Sequence, residues 1–277
     1  YSNMMEYIRR NMVDEVFVHL SSQTNLPINK IIKELEVMGV TVDLNINVFE
    51  MEIPVQREIE RIGNYYTVSF SPKIHSFKQI FFKRVMDIVG AIVGLLITGI
   101  VTVFLAPALL IESPGPLFFS QVRVGKNGRR FKIYKFRSMY MDAEERKKEL
   151  MSQNEMEGLM FKMENDPRVT KVGKFIRKTS IDELPQFWNI LKGEMSLVGT
   201  RPPTEDEFLQ YEGYHRRRLN MTPGLTGLWQ VSGRSDTKNF EEIVAMDVEY
   251  IDNWSLKEDI KILFKTVGVV LKGKGAS

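Results

Sequence analysis

Residues 88–111 form an uncharged, mostly apolar run of about 24 residues, longer than the roughly 18 that suggest a membrane helix. The run sits well inside the chain, which rules out a signal peptide. A single span is the default reading, but two features favour a re-entrant or monotopic segment. Basic residues flank both ends: Lys78, Lys83 and Arg84 before, then Arg123, Lys126, Arg129, Arg130, Lys132 and Lys135 after. Such clusters prefer the cytoplasmic side. A span would send one of them across, whereas a segment that dips in and returns keeps both inside. Pro107, preceded by Gly90, Gly94 and Gly99, removes one helical hydrogen bond and favours a kink. A full span and a buried core helix remain open alternatives.

Around this run the chain is ordinary. Its 277 residues suffice for one large or two ordinary domains. A net charge of +3 gives no reason to expect a nucleic acid partner. The absence of cysteine excludes disulfides, thiolate metal sites and thiol nucleophiles. His19, His75 and His215 lack ligand-like spacing and read as surface or packing residues. The chain opens on Tyr1, and its first elements read as the tail of a domain, so a piece of a longer protein is expected.

Residues 1–75 read as a small α/β part. A short strand (16–18), a helix (27–38) stopped by Gly39, and a second strand (40–44) make a βαβ unit. No G-x-G-x-x-G marks a nucleotide site there. A basic lead-in and the apolar run occupy 76–112. From 113 onward, Ser113-Pro114-Gly115-Pro116 is a hard stop. Strands at 117–119 and 131–136 flank a Gly125-Lys126-Asn127-Gly128 turn, and 142–163 is a charged helical stretch. The basic residues between 113 and 141 suit a solvated face or lipid phosphates. Arg216-Arg217-Arg218 is a short basic run. Trp229 fits either headgroup depth or a packed core. A last helix, capped by Ser255, is amphipathic and either packs on the domain or lies at the bilayer interface.

The chemistry centres on Asp182-Glu183. Ser180 followed by Glu183 reads as a capping box opening a helix over 181–192. Asp182 then falls in the first turn, where free N–H groups favour an anion. An ionised Asp held there beside phosphate or a divalent metal can act as a nucleophile. The competing reading makes Glu183 a cap and Asp182 surface charge. Arg201-Pro202-Pro203 is a rigid turn whose guanidinium suits either plain surface or phosphate.

Several strings together resemble one family: Lys83-Arg84-Val85-Met86-Asp87, Ser113-Pro114-Gly115-Pro116-Leu117-Phe118-Phe119-Ser120-Gln121, Tyr134-Lys135-Phe136-Arg137-Ser138-Met139, residues 179–186, residues 191–202, and Pro223-Gly224-Leu225-Thr226-Gly227. Over about residues 80–275 the chain resembles the monotopic bacterial polyprenyl-phosphate sugar-1-phosphate transferases. The wording is most similar to the enzymes that begin capsule or exopolysaccharide synthesis with glucose 1-phosphate.

The resemblance implies an α+β fold: a re-entrant membrane hairpin (76–112) with a small cytoplasmic α/β catalytic domain (113–277), preceded by part of a Rossmann-like domain (1–75). It implies seating on the cytoplasmic face of the bacterial inner membrane. It implies transfer from a UDP-sugar to undecaprenyl phosphate with Mg²⁺, releasing UMP. Asp182 would be the nucleophile, and Glu183 would help hold Mg²⁺ and manage protons. Arg201, Lys135, Arg137 and Arg177 are expected to contact donor phosphate or uridine, and Asp259 falls where members carry a functional acid. Glucose comes first and galactose second. The rivals are a UDP-releasing glycosyltransferase and a non-catalytic membrane scaffold. A homo-oligomer formed through upstream domains is a further expectation. In one respect the chain departs from the family pattern. Many members place Ser-Pro mid-run, where this chain has Thr98-Gly99-Ile100.

Overall fold

The computed structural model describes residues 2–19, 27–45, 56–63, 65–71, 76–150, 154, 158–159, 163, 166–232 and 239–271. His75 and most of 151–165 lie outside these residues.

The amino-terminal part is a small α/β unit. Helix α1 (Ser2–Arg10) leads into strand β1 (Glu15–His19), helix α2 (Ile28–Met38) and strand β2 (Thr41–Asn45). Strands β1 and β2 pair in parallel, so the expected βαβ unit is present. Gly39 ends α2 at φ 73°, a conformation that glycine adopts without steric cost. Ile31, Ile32, Leu35 and Met38 on α2 are buried with Val40, Val42 and Leu44, as the 3.6-residue spacing requires. Strands β3 (Gln56–Ile62) and β4 (Tyr65–Ser71) add an antiparallel hairpin, giving the order β1-β2-β4-β3.

The apolar run becomes helix α3 (Phe77–Glu112), 36 residues in one piece and therefore about 54 Å long. The expected hairpin within it is not what the structure shows. Its middle, at Thr98-Gly99-Ile100, has no proline. There the Thr98 and Thr102 hydroxyls bond back to the carbonyls of Gly94 and Thr98, both at 2.7 Å, which helices tolerate. Pro107 lies within the helix too, five residues before its last residue, Glu112.

From Lys83 to Glu112, one stripe of α3 is docked on the carboxy-terminal domain. Near the start, Lys83 Nζ donates to the Val198 carbonyl (2.9 Å) and to Asp259 (2.7 Å), and Asp87 accepts from the Ser196 hydroxyl and the Leu197 N–H. Gly90 and Gly94 let the helix approach closely. A Cβ at these positions would come within 2.6 Å of Leu197 and 2.3 Å of Phe187. Leu109 packs with Phe136 and Ile176. At the far end, the Glu112 carboxylate accepts from the Lys171 and Val172 N–H groups. The opposite face is exposed and apolar, with Phe81, Val89, Ile92, Leu96, Ile100, Val103 and Phe104 all solvent-facing. Only 17% of the most apolar 18-residue stretch is buried, so this is not a buried core helix.

The domain that receives α3 begins with the antiparallel pair β5 (Phe118–Val124) and β6 (Arg130–Phe136). It continues through α4 (Ala143–Leu150), α5 (Lys171–Lys178), a 3₁₀ turn (Ile181–Gln186) and α6 (Phe187–Lys192). Strand β7 (Ser196–Val198) pairs in parallel with β8 (Gly224–Thr226). Between these strands lie α7 (Glu205–Leu209) and a second 3₁₀ turn (Tyr214–Leu219). Helices α8 (Leu228–Ser232), α9 (Phe240–Asp252) and α10 (Leu256–Leu271) close the domain.

The structure adds to two sequence readings here. Arg216 and Arg218 of the short basic run are almost fully buried. Arg216 donates to the carbonyls of Ile8, Asn11 and Val13 in the amino-terminal unit, Arg217 binds Asp252, and Arg218 binds Asp247 and the Tyr211 hydroxyl. Trp229 is 4% exposed and packs in the core. Helix α10 shows both of its expected characters. Ile262 is fully buried, while Phe264 and Val267 face outward, and the Ser255 hydroxyl accepts the Glu258 N–H as expected.

Candidate active site

Strand alternation places Phe119, Gln121 and Arg123 of β5, and Ile133 and Lys135 of β6, on one face of the hairpin. That face forms one wall of a cleft of about 470 Å³. The opposite wall is the chain reversal between α5 and the 3₁₀ turn. Ser180 makes the reversal at φ 55°. This left-handed conformation costs a non-glycine residue roughly 1–2 kcal/mol, and such strain is concentrated at functional sites. The Ser180 N–H bonds to the Arg177 carbonyl (3.0 Å) and the Glu183 N–H to the Ser180 carbonyl (3.2 Å). The reversal points Asp182 and Glu183 into the cleft.

The expected capping box is absent. Ser180 makes no side-chain cap, and Glu183 instead accepts from Lys135 Nζ at 2.8 Å. The helix read over 181–192 splits into the 3₁₀ turn and α6, which ends at Gly193 with φ 84°. Asn189 ties this element to the hairpin. Its amide donates to the Lys132 carbonyl (2.7 Å) and Glu194 (2.7 Å), and its oxygen accepts the Tyr134 N–H (3.2 Å). The carboxylate pair and Lys135 are thereby held in register across the cleft.

Asp182, Glu183, Lys135, Arg137, Arg177 and Arg201 all line the cleft. Their roles differ. Asp182 is only 7% exposed. Arg137 turns back to the carbonyls of Ser113 and Pro114, so it anchors the loop that follows α3. Arg201 pairs with Glu207 (3.1 Å). Asp259 does not reach the cleft. It is fully buried among Lys83, the Tyr250 hydroxyl (2.7 Å) and Trp254 Nε1 (3.1 Å). Its place in the sequence suggested a site acid, but it sits in the socket that holds α3.

Charged cleft residues that the sequence reading did not assign to the site include Glu207, Arg123, Arg168 and Glu144. Glu207 forms the real capping box with Thr204, a T-x-x-E signature visible in the sequence. Burial tends to raise its pKa, but Arg201, Arg123 and the Thr204 N–H outweigh that and hold it below the usual carboxylate range. Arg123 donates to the Pro202 carbonyl (3.1 Å) and Gln121 (2.8 Å). Burial and the neighbouring Arg201 depress its pKa to about 10. In total the lining carries six cations (Arg123, Lys135, Arg137, Arg168, Arg177, Arg201) and four carboxylates (Glu144, Asp182, Glu183, Glu207). A cleft with surplus guanidinium charge beside a constrained carboxylate pair is suited to phosphate chemistry.

The described residues contain no cluster of three or more His, Cys, Asp or Glu side chains. Among the described residues of the cleft, Asp182 and Glu183 are the adjacent carboxylates that could be offered to a divalent ion. This donor set fits Mg²⁺, which takes one or two carboxylates and completes its shell with substrate phosphate and water.

Residues 78–273 match the family model described as "Bacterial sugar transferase", and the chain belongs to that family. It is 51% identical over 266 residues to a galactosyl transferase of Streptococcus agalactiae, covering 95% of this chain and 59% of that protein. It is 46% identical over 200 residues to an undecaprenyl-phosphate galactose phosphotransferase of Salmonella typhimurium (71% of this chain, 42% of that protein). A UDP-glucose:undecaprenyl-phosphate glucose-1-phosphate transferase of Klebsiella pneumoniae is 33% identical over 274 residues (96% and 56%). The chain thus spans less than two thirds of the length of these relatives.

Proposed function

We propose that the chain carries the catalytic part of a sugar-1-phosphate transferase that loads undecaprenyl phosphate from a UDP-sugar, in the service of capsule or exopolysaccharide synthesis. The observation that carries this reading is the Asp182-Glu183 pair, held by a strained reversal in a cationic cleft on a domain docked along an apolar helix. An Asp182 oxygen attacks the phosphorus that bears the sugar. The bond from that phosphorus to the bridging oxygen breaks, and UMP leaves with the electron pair. Lys135, Arg177, Arg123 and Arg201 neutralise the charge that grows on the leaving phosphate. An oxygen of the lipid phosphate then attacks the aspartyl phosphosugar, releasing the Asp182 carboxylate. Mg²⁺ held by Asp182 and Glu183 would supply charge screening for the diphosphate.

Galactose replaces glucose as the first choice of sugar. The relatives at 51%, 47% and 46% identity are named for galactosyl or UDP-galactose transfer, and the one named for glucose is 33% identical. Seating is monotopic. The contacts of α3 with one domain from Lys83 to Glu112 support a reading in which its outer face enters the lipid and the cleft lies on the cytoplasmic side of the inner membrane. The test is UMP release from UDP-galactose with undecaprenyl phosphate and Mg²⁺. Asp182→Asn is expected to lose at least about 10³-fold in rate, as nucleophile knockouts do. Near-normal turnover would remove Asp182 from the chemistry, and UDP in place of UMP would mark simple glycosyl transfer.

A further inference from the structure

A second cavity of about 320 Å³ lies on the other side of the catalytic reversal. Ser180 and Glu183 line both spaces, so the polar cleft and this groove meet at Glu183, the neighbour of Asp182. Most of the remaining lining is apolar, with Lys178, Thr179, Thr226, Gln230 and Thr266 as its other polar members. Leu184 and Phe187 come from the catalytic segment, Leu225 from β8, and Leu263, Val267 and Val270 from α10. It also touches the membrane helix through its own walls. Phe187 lies over Gly94, and the Leu184 carbonyl accepts from the Thr98 hydroxyl at 3.2 Å.

We propose that this groove seats the isoprenyl units nearest the phosphate of the lipid acceptor, and so decides where along the cleft the acceptor phosphate stops. The inference rests on the transferase reading and adds to it a place for the second substrate. A sugar nucleotide has no large apolar part, and the cationic cleft already suits its diphosphate. The acceptor alone joins a phosphate to a hydrocarbon chain. A molecule of that kind must place its charged end at Asp182 and its chain on an adjoining apolar surface. The groove is a mainly apolar surface that shares Ser180 and Glu183 with the cleft. A prenyl chain leaving it passes beside α3 toward the lipid, so the chain need not cross the polar cleft.

The test is a kinetic split on the whole chain in a membrane mimetic. Val267 is 57% exposed, so Val267→Trp fills the groove without displacing a buried side chain. It is expected to raise the KM for undecaprenyl phosphate about tenfold, the effect of losing roughly two buried methylenes, with the KM for the UDP-sugar unchanged. Leu225→Ala is a second, cavity-making variant, expected to shift the acceptor KM in the same direction. In parallel, a photoreactive polyprenyl phosphate should label residues 263–270 of the wild type and be displaced by unlabelled polyprenyl phosphate. Unchanged acceptor KM in both variants overturns the proposal, as does equal displacement by phospholipid. If the wild type transfers nothing from any UDP-sugar, the transferase reading itself is overturned. Transfer by the wild type with no acceptor-specific defect in the variants overturns the groove alone.

Discussion

At Ser180 the backbone takes a conformation that L-residues avoid, and Asp182 and Glu183, two and three residues further on, matter most to the proposed chemistry. Asp182-Glu183 was legible as a pair because adjacent carboxylates beside Arg177 and Lys178 are a local pattern. Its support was not legible. Lys135 is 48 residues away, and the Asn189 bonds join α6 to the backbone of β6. Spacing cannot report contacts of that range. Asp259 was misplaced for the same reason, since only the fold shows that it faces Lys83. His215 was read as a surface or packing residue, and it lies among Tyr211 and Phe240. Its Nδ1 accepts the Glu212 N–H, which leaves Nε2 to carry the proton toward Glu241. Burial lowers its pKa, Glu212 opposes and Arg218 assists. The unfolded chain therefore binds a proton more readily than the folded one. Stability is full above the ordinary value near 6.5 and declines as pH falls from there toward the depressed value. Thermal melts between pH 7.5 and 5.5, a range of about two units around that ordinary value, should show the decline, and His215→Gln should flatten it.

Helix α3 was read correctly as an element and incorrectly in shape. Uncharged length predicts a helix, but whether it folds back depends on what its inner stripe meets. Here that stripe meets a domain along most of its length. Lys83, Asp87, Gly90, Gly94, Thr98, Leu109 and Glu112 recur at helical spacing, and each has a partner in the domain. The sequence shows the glycines but not that Leu197 and Phe187 are what they accommodate. Gly94→Val would push its Cβ, within 2.3 Å of Phe187, into the segment that carries Asp182. Overpacking of this kind costs about 1–3 kcal/mol. The expected result is a lower melting temperature together with reduced turnover. Gly99, where an added Cβ meets nothing, should tolerate alanine. The contrast can be read by parallel melts of the two variants.

Across the whole molecule, the amino-terminal unit is tied to the catalytic domain by Arg216, which reaches three of its carbonyls, and by Asp14, which meets Asn127 and Arg129 of the β5–β6 turn. A buried guanidinium that satisfies carbonyls leaves them unpaired when removed, at a cost of about 1–3 kcal/mol. Arg216→Ala is expected to loosen the two units, seen as faster protease cleavage between residues 45 and 76 with the cleft chemistry retained. In the sequence its triple-arginine context was only a short basic run, with nothing to say where it lies. Three separate acceptors, invisible in the sequence, bury two of the three.

The most direct measurement is intact-mass spectrometry of the enzyme quenched during turnover with UDP-galactose in the absence of acceptor. The account predicts an adduct of one hexosyl phosphate on the peptide containing Asp182, discharged by undecaprenyl phosphate and absent in Asp182→Asn. Rapid transfer with no such adduct at any quench time would contradict it.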